Sequence, residues 1–341
     1  MISLDTRQQG MVLSLRKSMI KFEGSQSSDL EICGSASRPL PLYLNRQFIK
    51  ILEDLQIDTD SIVQLQHRAV QSLKQAAQSP PEVASFLTRE NICRASRLPG
   101  MIRKLYSLGF DFSEDQFLRS VVDLAIITQL RDIKYRSRIL VEQGVTLYGI
   151  MDETDSLAEG EIYCSTDTDI IVGRVAITRA PALHPGDIQI AKAVDMSGKP
   201  PLGCLKNCVV FSQRGARDLP SQLSGGDLDG DLYNVIYDPR LIPTSVVKPA
   251  DYPRVRPMEI DRPIVAEDIS RFFIDFMEND QLGRIATLHM QLADRLPGGT
   301  HHADCKQLAE LHSSAVDFSK SGRPVGESSE YVLKAMSNFL T

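Results

Sequence analysis

Ser224-Gly225-Gly226-Asp227-Leu228-Asp229-Gly230-Asp231-Leu232-Tyr233 sets three aspartates at alternate positions among three glycines, directly ahead of the apolar run Leu232–Tyr237. On an extended strand, at about 3.3 Å per residue, Asp227 and Asp231 would lie roughly 13 Å apart. One Mg²⁺ needs its oxygens at about 2.0–2.1 Å, so a straight strand could not bring the outer pair to a common ion. Gly225, Gly226 and Gly230 remove that obstacle, because they permit positive φ and a tight loop that folds the carboxylates inward. Three carboxylates held together repel one another, and a divalent cation is their natural neutraliser.

Three other readings compete. A solvated acidic turn is the commonest fate of Asp-Gly text, but this segment lies between two core-strand candidates, Cys208–Ser212 and Leu232–Tyr237. An EF-hand needs Gly at loop position six and Glu at twelve; counted from Asp227 those positions hold Leu232 and Asp238, and strand follows rather than helix. The Asp-x-Asp of nucleotide-sugar transferases asks for neither a third Asp nor paired glycines, and no Rossmann-like βαβ signal accompanies it. Carboxylate-held Mg²⁺ favours phosphate substrates. Several Asp around metal suit two-metal nucleotidyl transfer, in which one ion activates a hydroxyl and the other steadies leaving pyrophosphate.

Outward from the loop, residues 144–238 read as β. Val145–Met151, Glu161–Cys164, Ile170–Thr178, Ile188–Val194, Cys208–Ser212 and Leu232–Tyr237 are short, mostly rich in Val, Ile or Tyr, and separated by turns such as Pro185-Gly186-Asp187 and Pro200-Pro201. About six short strands with no long helix between them predict a small closed barrel. Residues 45–138 carry a helical period instead. Phe48, Ile51, Leu52 and Leu55 share one face, Asp60 is a candidate cap for a second helix that Pro80-Pro81 ends, Pro99-Gly100 marks a break, and Ser113-Glu114-Asp115-Gln116 reads as a capping box. Met11–Leu15 and Ser18–Phe22 read as strands. After the Pro-rich stretch Pro239–Pro263, helices are expected around Ile269–Met277, from Asn279-Asp280 to Pro297, over Asp304–Val316 and over Ser328–Phe339.

The 341 residues carry 38 Lys+Arg against 44 Asp+Glu, a net charge of −6, which excludes a histone-like binder relying on bulk positive charge. Six cysteines are too sparse for a disulfide scaffold and read as reduced thiols. His301, His302 and Cys305 make at most half a metal site. No signal peptide or run of about 18 apolar residues occurs, so an intracellular protein, nuclear or cytoplasmic and without a membrane partner, is expected.

The resemblance of Gly225-Gly226-Asp227-Leu228-Asp229-Gly230-Asp231 is to the catalytic loop of the cellular RNA-dependent RNA polymerases of RNA silencing. Val209-Val210-Phe211-Ser212-Gln213-Arg214-Gly215, with Arg217 and Pro220, is similar to that family's approach to the loop. Arg179-Ala180-Pro181-Ala182-Leu183-His184-Pro185-Gly186-Asp187 resembles its Arg-x-Pro-x-x-His-Pro-Gly-Asp turn, and Tyr148–Thr154 with Glu159-Gly160-Glu161 its opening barrel strands. Arg16-x-Ser18-x-x-Lys21-Phe22, Met277–Gly283, Leu308–His312 and Ala315–Phe318 also fit, so the likeness covers nearly the whole chain.

The resemblance implies an α+β fold in which two double-psi β-barrels face each other across the active site. Residues 1–44 would be the C-terminal part of a first barrel, 45–143 a helical subdomain and 144–240 the catalytic double-psi barrel. A Pro-rich linker, 241–264, and a C-terminal helical region, 265–341, would follow. The chain is then expected to be a fragment of a longer polymerase. Asp227, Asp229 and Asp231 would be the catalytic, Mg²⁺-holding residues, and Gly225, Gly226 and Gly230 the loop glycines. Lys21, Arg16, Arg217 and Arg179 would bind substrate, with Lys21 near the incoming triphosphate. RNA template and product, NTPs and silencing-pathway proteins are the expected partners, and RNA-directed RNA polymerisation the expected activity. The alternative is an incomplete, inactive relative that binds RNA or a partner.

Other residues have plainer readings. His184 is expected to be a structural turn histidine, Asp152 and Glu153 turn residues, and Phe272, Phe273 and Phe276 core. Arg131, Lys134, Arg136 and Arg138 read as a solvated helix end, with RNA-backbone tracking as the other reading.

Overall fold

A computed structural model of the chain describes residues 1–325 apart from 21–23, 25, 26, 28, 77, 91, 93, 94, 254 and 255. Strand β1 (Leu40–Leu44) leads into five helices: α1 (Arg46–Asp54), α2 (Thr59–Ala76), α3 (Pro80–Arg89), α4 (Leu98–Ser107) and α5 (Gln116–Arg136). The β region follows as β2 (Ile139–Met151), β3 (Glu161–Ser165), β4 (Ile170–Ile171), β5 (Gly173–Arg179), β6 (Ile188–Ala193), β7 (Cys208–Phe211) and β8 (Leu232–Ile236), with the short helix α6 (Leu219–Gln222) between β7 and β8. Helices α7 (Ala266–Asn279), α8 (Leu282–Arg295), α9 (Ala303–Val316) and α10 (Phe318–Ser321) complete the described chain. Among the described residues, no helix is long and apolar enough to cross a membrane.

The six expected strands close on themselves. Hydrogen-bonded neighbours run β2-β7-β3-β6-β5-β8, and β8 pairs back to β2. The β2·β7 and β3·β6 contacts are parallel and the others antiparallel, the interlocked pattern of a double-psi barrel. Alternation explains the interior: Val145 and Leu147 of β2, Val175 and Ile177 of β5, and Tyr233 and Val235 of β8 meet Val209 and Phe211 inside. Fully burying each such side chain is worth about 1.5–3 kcal/mol. The outer face of the same sheet carries Ile139, Val141, Ala176, Ile188 and Ile236, which pack on Phe48, Ile51 and Leu52 of α1. The C-terminal helices reach that layer through Asp54, which accepts hydrogen bonds from the Thr300 amide and hydroxyl, each at 2.6 Å.

Several sequence expectations change. Residues 11–16 form no strand and 17–19 form a single 3₁₀ turn. A strand needs a neighbour to accept its ladder, and among the described residues none runs beside them. Met11, Val12, Leu13 and Leu15 are exposed instead. The boundary drawn at residue 44 cuts through a pairing, because β1 lies antiparallel on β2, with Leu44 opposite Ile139. Helix α2 ends at Ala76, ahead of Pro80-Pro81 as expected, but these prolines and Pro99 also start the helices that follow. Pro80-Pro81 opens α3 and Pro99 sits in the first turn of α4, where proline has no intrahelical amide to lose. Asp115, not Ser113, caps α5, accepting from the Leu118 amide at 2.8 Å. Asp60 lies inside the first turn of α2, and Asp58 takes its amide. Ile170–Thr178 is two strands, broken at Val172 before Gly173 turns to φ +109°. The helix expected over Ser328–Phe339 lies outside the described residues.

The segment 241–264, expected as a linker, is a strap laid on the barrel. The Gln189 side-chain amide donates to Val247 O at 2.9 Å, and Tyr252 and Ala250 bond to residues beside the Asp loop. Its prolines hold it extended, so its carbonyls and Tyr252 are available to the barrel rather than to a helix. The phenylalanines of α7 are not core either. Phe272 and Phe276 stack on Phe318 with ring centroids 6.1 and 5.2 Å away, while Phe273 is exposed.

Candidate active site

The loop between α6 and β8 is fixed at both ends. Leu223 is fully buried in the barrel end, and Leu228 packs on the same cluster. Positive φ occurs at Gly225 (+70°) and Gly230 (+136°), and also at Ser224 (+52°) and Leu228 (+59°). Gly226 does not use that freedom; its lack of a side chain provides room. A Cβ there would stand 2.4 Å from Tyr233 Oη and 2.9 Å from Pro220 O, contacts that real carbons do not make. Gly226→Ala is therefore expected to cost about 1–3 kcal/mol, read as a lowered melting temperature. Gly149 of β2 meets the same demand, since its Cβ would fall 2.3 Å from the Tyr233 ring.

This folding gathers the three carboxylates. One ligand oxygen from each of Asp227, Asp229 and Asp231 lies within 4.8 Å of the others, against the roughly 13 Å of an extended strand. Asp227 and Asp229 are exposed and Asp231 half-buried. Asp231 is held hardest: its carboxylate accepts from the Asp227 amide at 3.0 Å and pairs with Arg179 at 2.7 Å. Its carbonyl takes the Gly149 amide at 3.1 Å, which ties the loop to β2. Burial, then the charges of Asp227 and Asp231, push the Asp229 carboxyl above the ordinary aspartate range. An all-oxygen set of three carboxylates fits a hard divalent cation such as Mg²⁺ in chemistry and spacing.

Of the expected substrate cations, the structure turns two onto the loop. Arg179 donates to Ser224 O at 3.0 Å as well as pairing with Asp231. Arg217 donates to Ser221 O at 2.7 Å and to Ala250 O at 2.9 Å, and pairs with Asp251. Both guanidiniums are thus engaged in holding backbone and carboxylate, although both line the cleft beside the loop. Arg16 pairs with Glu153. Lys21 lies outside the described residues. Of the basic cluster, Arg138 is turned inward onto Glu90 and the Tyr43 ring, and Arg136 pairs with Asp132. His301 is within 3.3 Å of Asp54 O, and His302 caps α9 through the Asp304 amide.

Residues 1–339 match the sequence model of the RNA dependent RNA polymerase family. The chain belongs to that family. Among similar proteins, a probable RNA-dependent RNA polymerase 2 of Oryza sativa subsp. japonica is 37% identical over 92% of this chain and 28% of its own length. A probable RNA-dependent RNA polymerase 1 of the same organism is 33% identical over 96% of the chain and 44% of its length. RNA-dependent RNA polymerase 1 of Schizosaccharomyces pombe is 31% identical over 97% and 29%. The fold is that of the RNA dependent RNA polymerase QDE-1 from Thielavia terrestris, with a TM-score of 0.64 at 20% identity, covering 84% of this chain and 36% of that one. The chain thus spans between 28% and 44% of the length of these three curated relatives.

In this polymerase-family chain, sequence reasoning missed the supports behind the loop. Asp187 is almost wholly buried and accepts from the amides of Leu183 and His184, each at 2.9 Å, and from Tyr252 Oη at 2.6 Å. Tyr252 in turn lies 3.3 Å from where a Cβ of Gly225 would be. The turn containing Asp187 was legible, but its hold on Tyr252 joins residues 65 apart in a segment read as linker.

His184 is the expected turn histidine, its Nδ1 accepting from the Gly186 amide at 3.0 Å. Burial pulls His184 and His289 from the ordinary 6.5 down to about 4, and lowers His312 as well. The sign follows directly. As pH falls from about 6.5 toward 4 the unfolded chain takes up protons that these buried rings refuse, so stability is lost. Asp187, raised by burial to about 6, opposes this between 3.8 and 6 because it stays protonated in the folded chain. With three histidines against one aspartate, the melting temperature is expected to fall between pH 7 and 5, and His289→Gln is expected to flatten that slope.

Proposed function

We propose that the chain carries the catalytic barrel of an RNA-directed RNA polymerase, joining NTPs to an RNA 3′-hydroxyl on an RNA template. What supports this most is the convergence of Asp227, Asp229 and Asp231 oxygens within 4.8 Å on a loop held by a family-typical barrel. Divalent cations bound there, Mg²⁺ in this reading, would supply Lewis-acid activation of the hydroxyl and neutralise charge on departing pyrophosphate. The chain's own residues do the positioning. Arg179 orients Asp231, Leu223 and Leu228 anchor the loop, and Asp227 lines the cleft where substrate phosphates would lie, with Asp229 exposed beside it. Membership of the silencing-type family suggests a role in RNA silencing, with that pathway's proteins as partners.

Lys21 is part of the same reading. Lys21→Ala is expected to raise the NTP concentration needed for half-maximal rate by about tenfold while leaving RNA affinity unchanged, since the lost partner is a triphosphate charge. A loss confined to RNA affinity would remove Lys21 from this role.

The deciding experiment measures Mg²⁺-dependent NTP incorporation on single-stranded RNA by residues 1–341 alone, and by the same residues joined to the preceding sequence of a relative. A shared active site needs a second face to position triphosphate and template. Residues 11–16 form no strand, and Met11, Val12, Leu13 and Leu15 are exposed. Little or no incorporation is expected from the chain alone and a sharp rise from the joined one. Vigorous templated synthesis by the chain alone would mean one barrel suffices, and inactivity of a folded joined chain would overturn the proposal.

A further inference from the structure

A cleft of ≈ 740 Å³ opens beside the Asp loop, with Asp227, Arg179, Arg217, Tyr252, Arg256 and Lys320 among its lining. Its four cations differ in what they do. Arg179 and Arg217 are committed to loop carbonyls and to Asp231 and Asp251. The side chains of Lys320 and Arg256 are exposed and, among the described residues, have no hydrogen-bond or ion-pair partner.

Neither cation is a stray surface charge. Lys320 stands on α10, whose Phe318 is buried and stacked between Phe272 and Phe276. Gly322 ends that turn at φ +69°. Ser321 O accepts from the Met258 amide at 2.9 Å, and this bond lays the strap that carries Arg256 alongside α10. Two unpaired cations are thereby presented on one wall by packing and by a backbone bond between segments about 60 residues apart in the chain. Lys320 and Asp227 line the same cleft, so the lysine stands across it from the Asp loop.

A lysine in reach of carboxylates that bind a divalent cation is repelled when the ion arrives, unless an anion lies between them. Phosphate oxygens supply that anion: they coordinate Mg²⁺ on one side and take an ammonium or guanidinium on the other. We propose that Lys320, with Arg256 beside it, holds a phosphate group of the reacting NTP or of the RNA strand in this cleft, against the Asp loop. The inference rests on the reading of that loop as a nucleotidyl-transfer site. It assigns the aromatic stripe of α7 a purpose, namely to seat the turn that carries Lys320.

Binding, not turnover, tests it. Calorimetric titration of the full chain with Mg²⁺-tripolyphosphate, and separately with a single-stranded oligoribonucleotide lacking a 5′-phosphate, is compared for wild type, Lys320→Gln, Lys320→Arg and Arg256→Gln. Lys320→Gln is expected to weaken one of the two ligands about tenfold, with Lys320→Arg within about threefold of wild type. A fall for tripolyphosphate identifies the NTP as the source, and a fall for the oligonucleotide identifies the RNA backbone. Unchanged affinity for both ligands in Lys320→Gln, or no binding of either by the wild type, overturns the proposal. Incorporation assays on the joined chain report separately on the polymerase reading: a silent but folded enzyme that still shows the Lys320 effect sinks that reading and not this one.

Discussion

Asp229→Asn is expected to lower Mg²⁺-dependent nucleotide incorporation by about 10³-fold or more, a loss of at least about 4 kcal/mol of transition-state stabilisation. The amide keeps the shape of the side chain but removes a charged oxygen from a set whose members lie within 4.8 Å. Hard cations bind carboxylate oxygens far better than amide oxygens. The fold should survive, because Asp229 is exposed and supports no core contact. It should even gain slightly in melting temperature without metal, since Asp227 and Asp231 already disfavour the Asp229 charge. Asp227→Asn is expected to behave alike. Single-turnover incorporation by the joined chain, together with thermal denaturation, checks both parts, and near-normal turnover in either variant would dissolve the triad assignment.

Arg179→Gln is the second large effect. Its guanidinium bonds Asp231 at 2.7 Å and Ser224 O at 3.0 Å, so one side chain ties both ends of the loop. Removing one partner of a fully buried ion pair costs about 3–5 kcal/mol. Here the two side chains keep 22% and 10% of their exposure, which screens the pair and brings the expected cost to about 2 kcal/mol. The rate constant is expected to fall at least about tenfold with little change in the NTP concentration for half-maximal rate, because the loop rather than the substrate loses its partner. Arg179→Lys should recover only part of this: one ammonium can meet Asp231 but not Ser224 O in the same geometry. Combined with Asp231→Asn, the effect should be strongly non-additive. A substrate contact, as expected from the sequence, would instead raise the half-maximal NTP concentration, leave the melting temperature unmoved and add independently to Asp231→Asn.

The amino-acid sequence by itself determined the barrel and the clustered acidic loop. Short runs, mostly rich in Val, Ile or Tyr and bounded by turn residues, placed the barrel strands, because strand composition and turn chemistry are local properties. Asp-x-Asp-Gly-Asp after paired glycines marked the acidic cluster, because residue type and loop permissiveness are both carried by adjacent residues. Helix α1 was equally legible, since Phe48, Ile51, Leu52 and Leu55 encode its apolar face within one segment; the structure adds Asn45, which caps it by accepting from the Phe48 amide. Tertiary structure decided what depends on residues far apart. It gave Arg179, expected to bind substrate, a hold on the loop, because strand pairing sets Arg179 opposite Tyr233, two residues from Asp231. It made a strap of the Pro-rich linker, since extended backbone without internal hydrogen bonds finds its partners in Gln189 and Asp187. It left Met11–Leu15 exposed, because a strand exists only where a second strand completes its hydrogen bonds. Lys320 and Arg256 share one wall for the same reason: a single backbone bond between Met258 and Ser321 joins segments whose proximity no local pattern encodes.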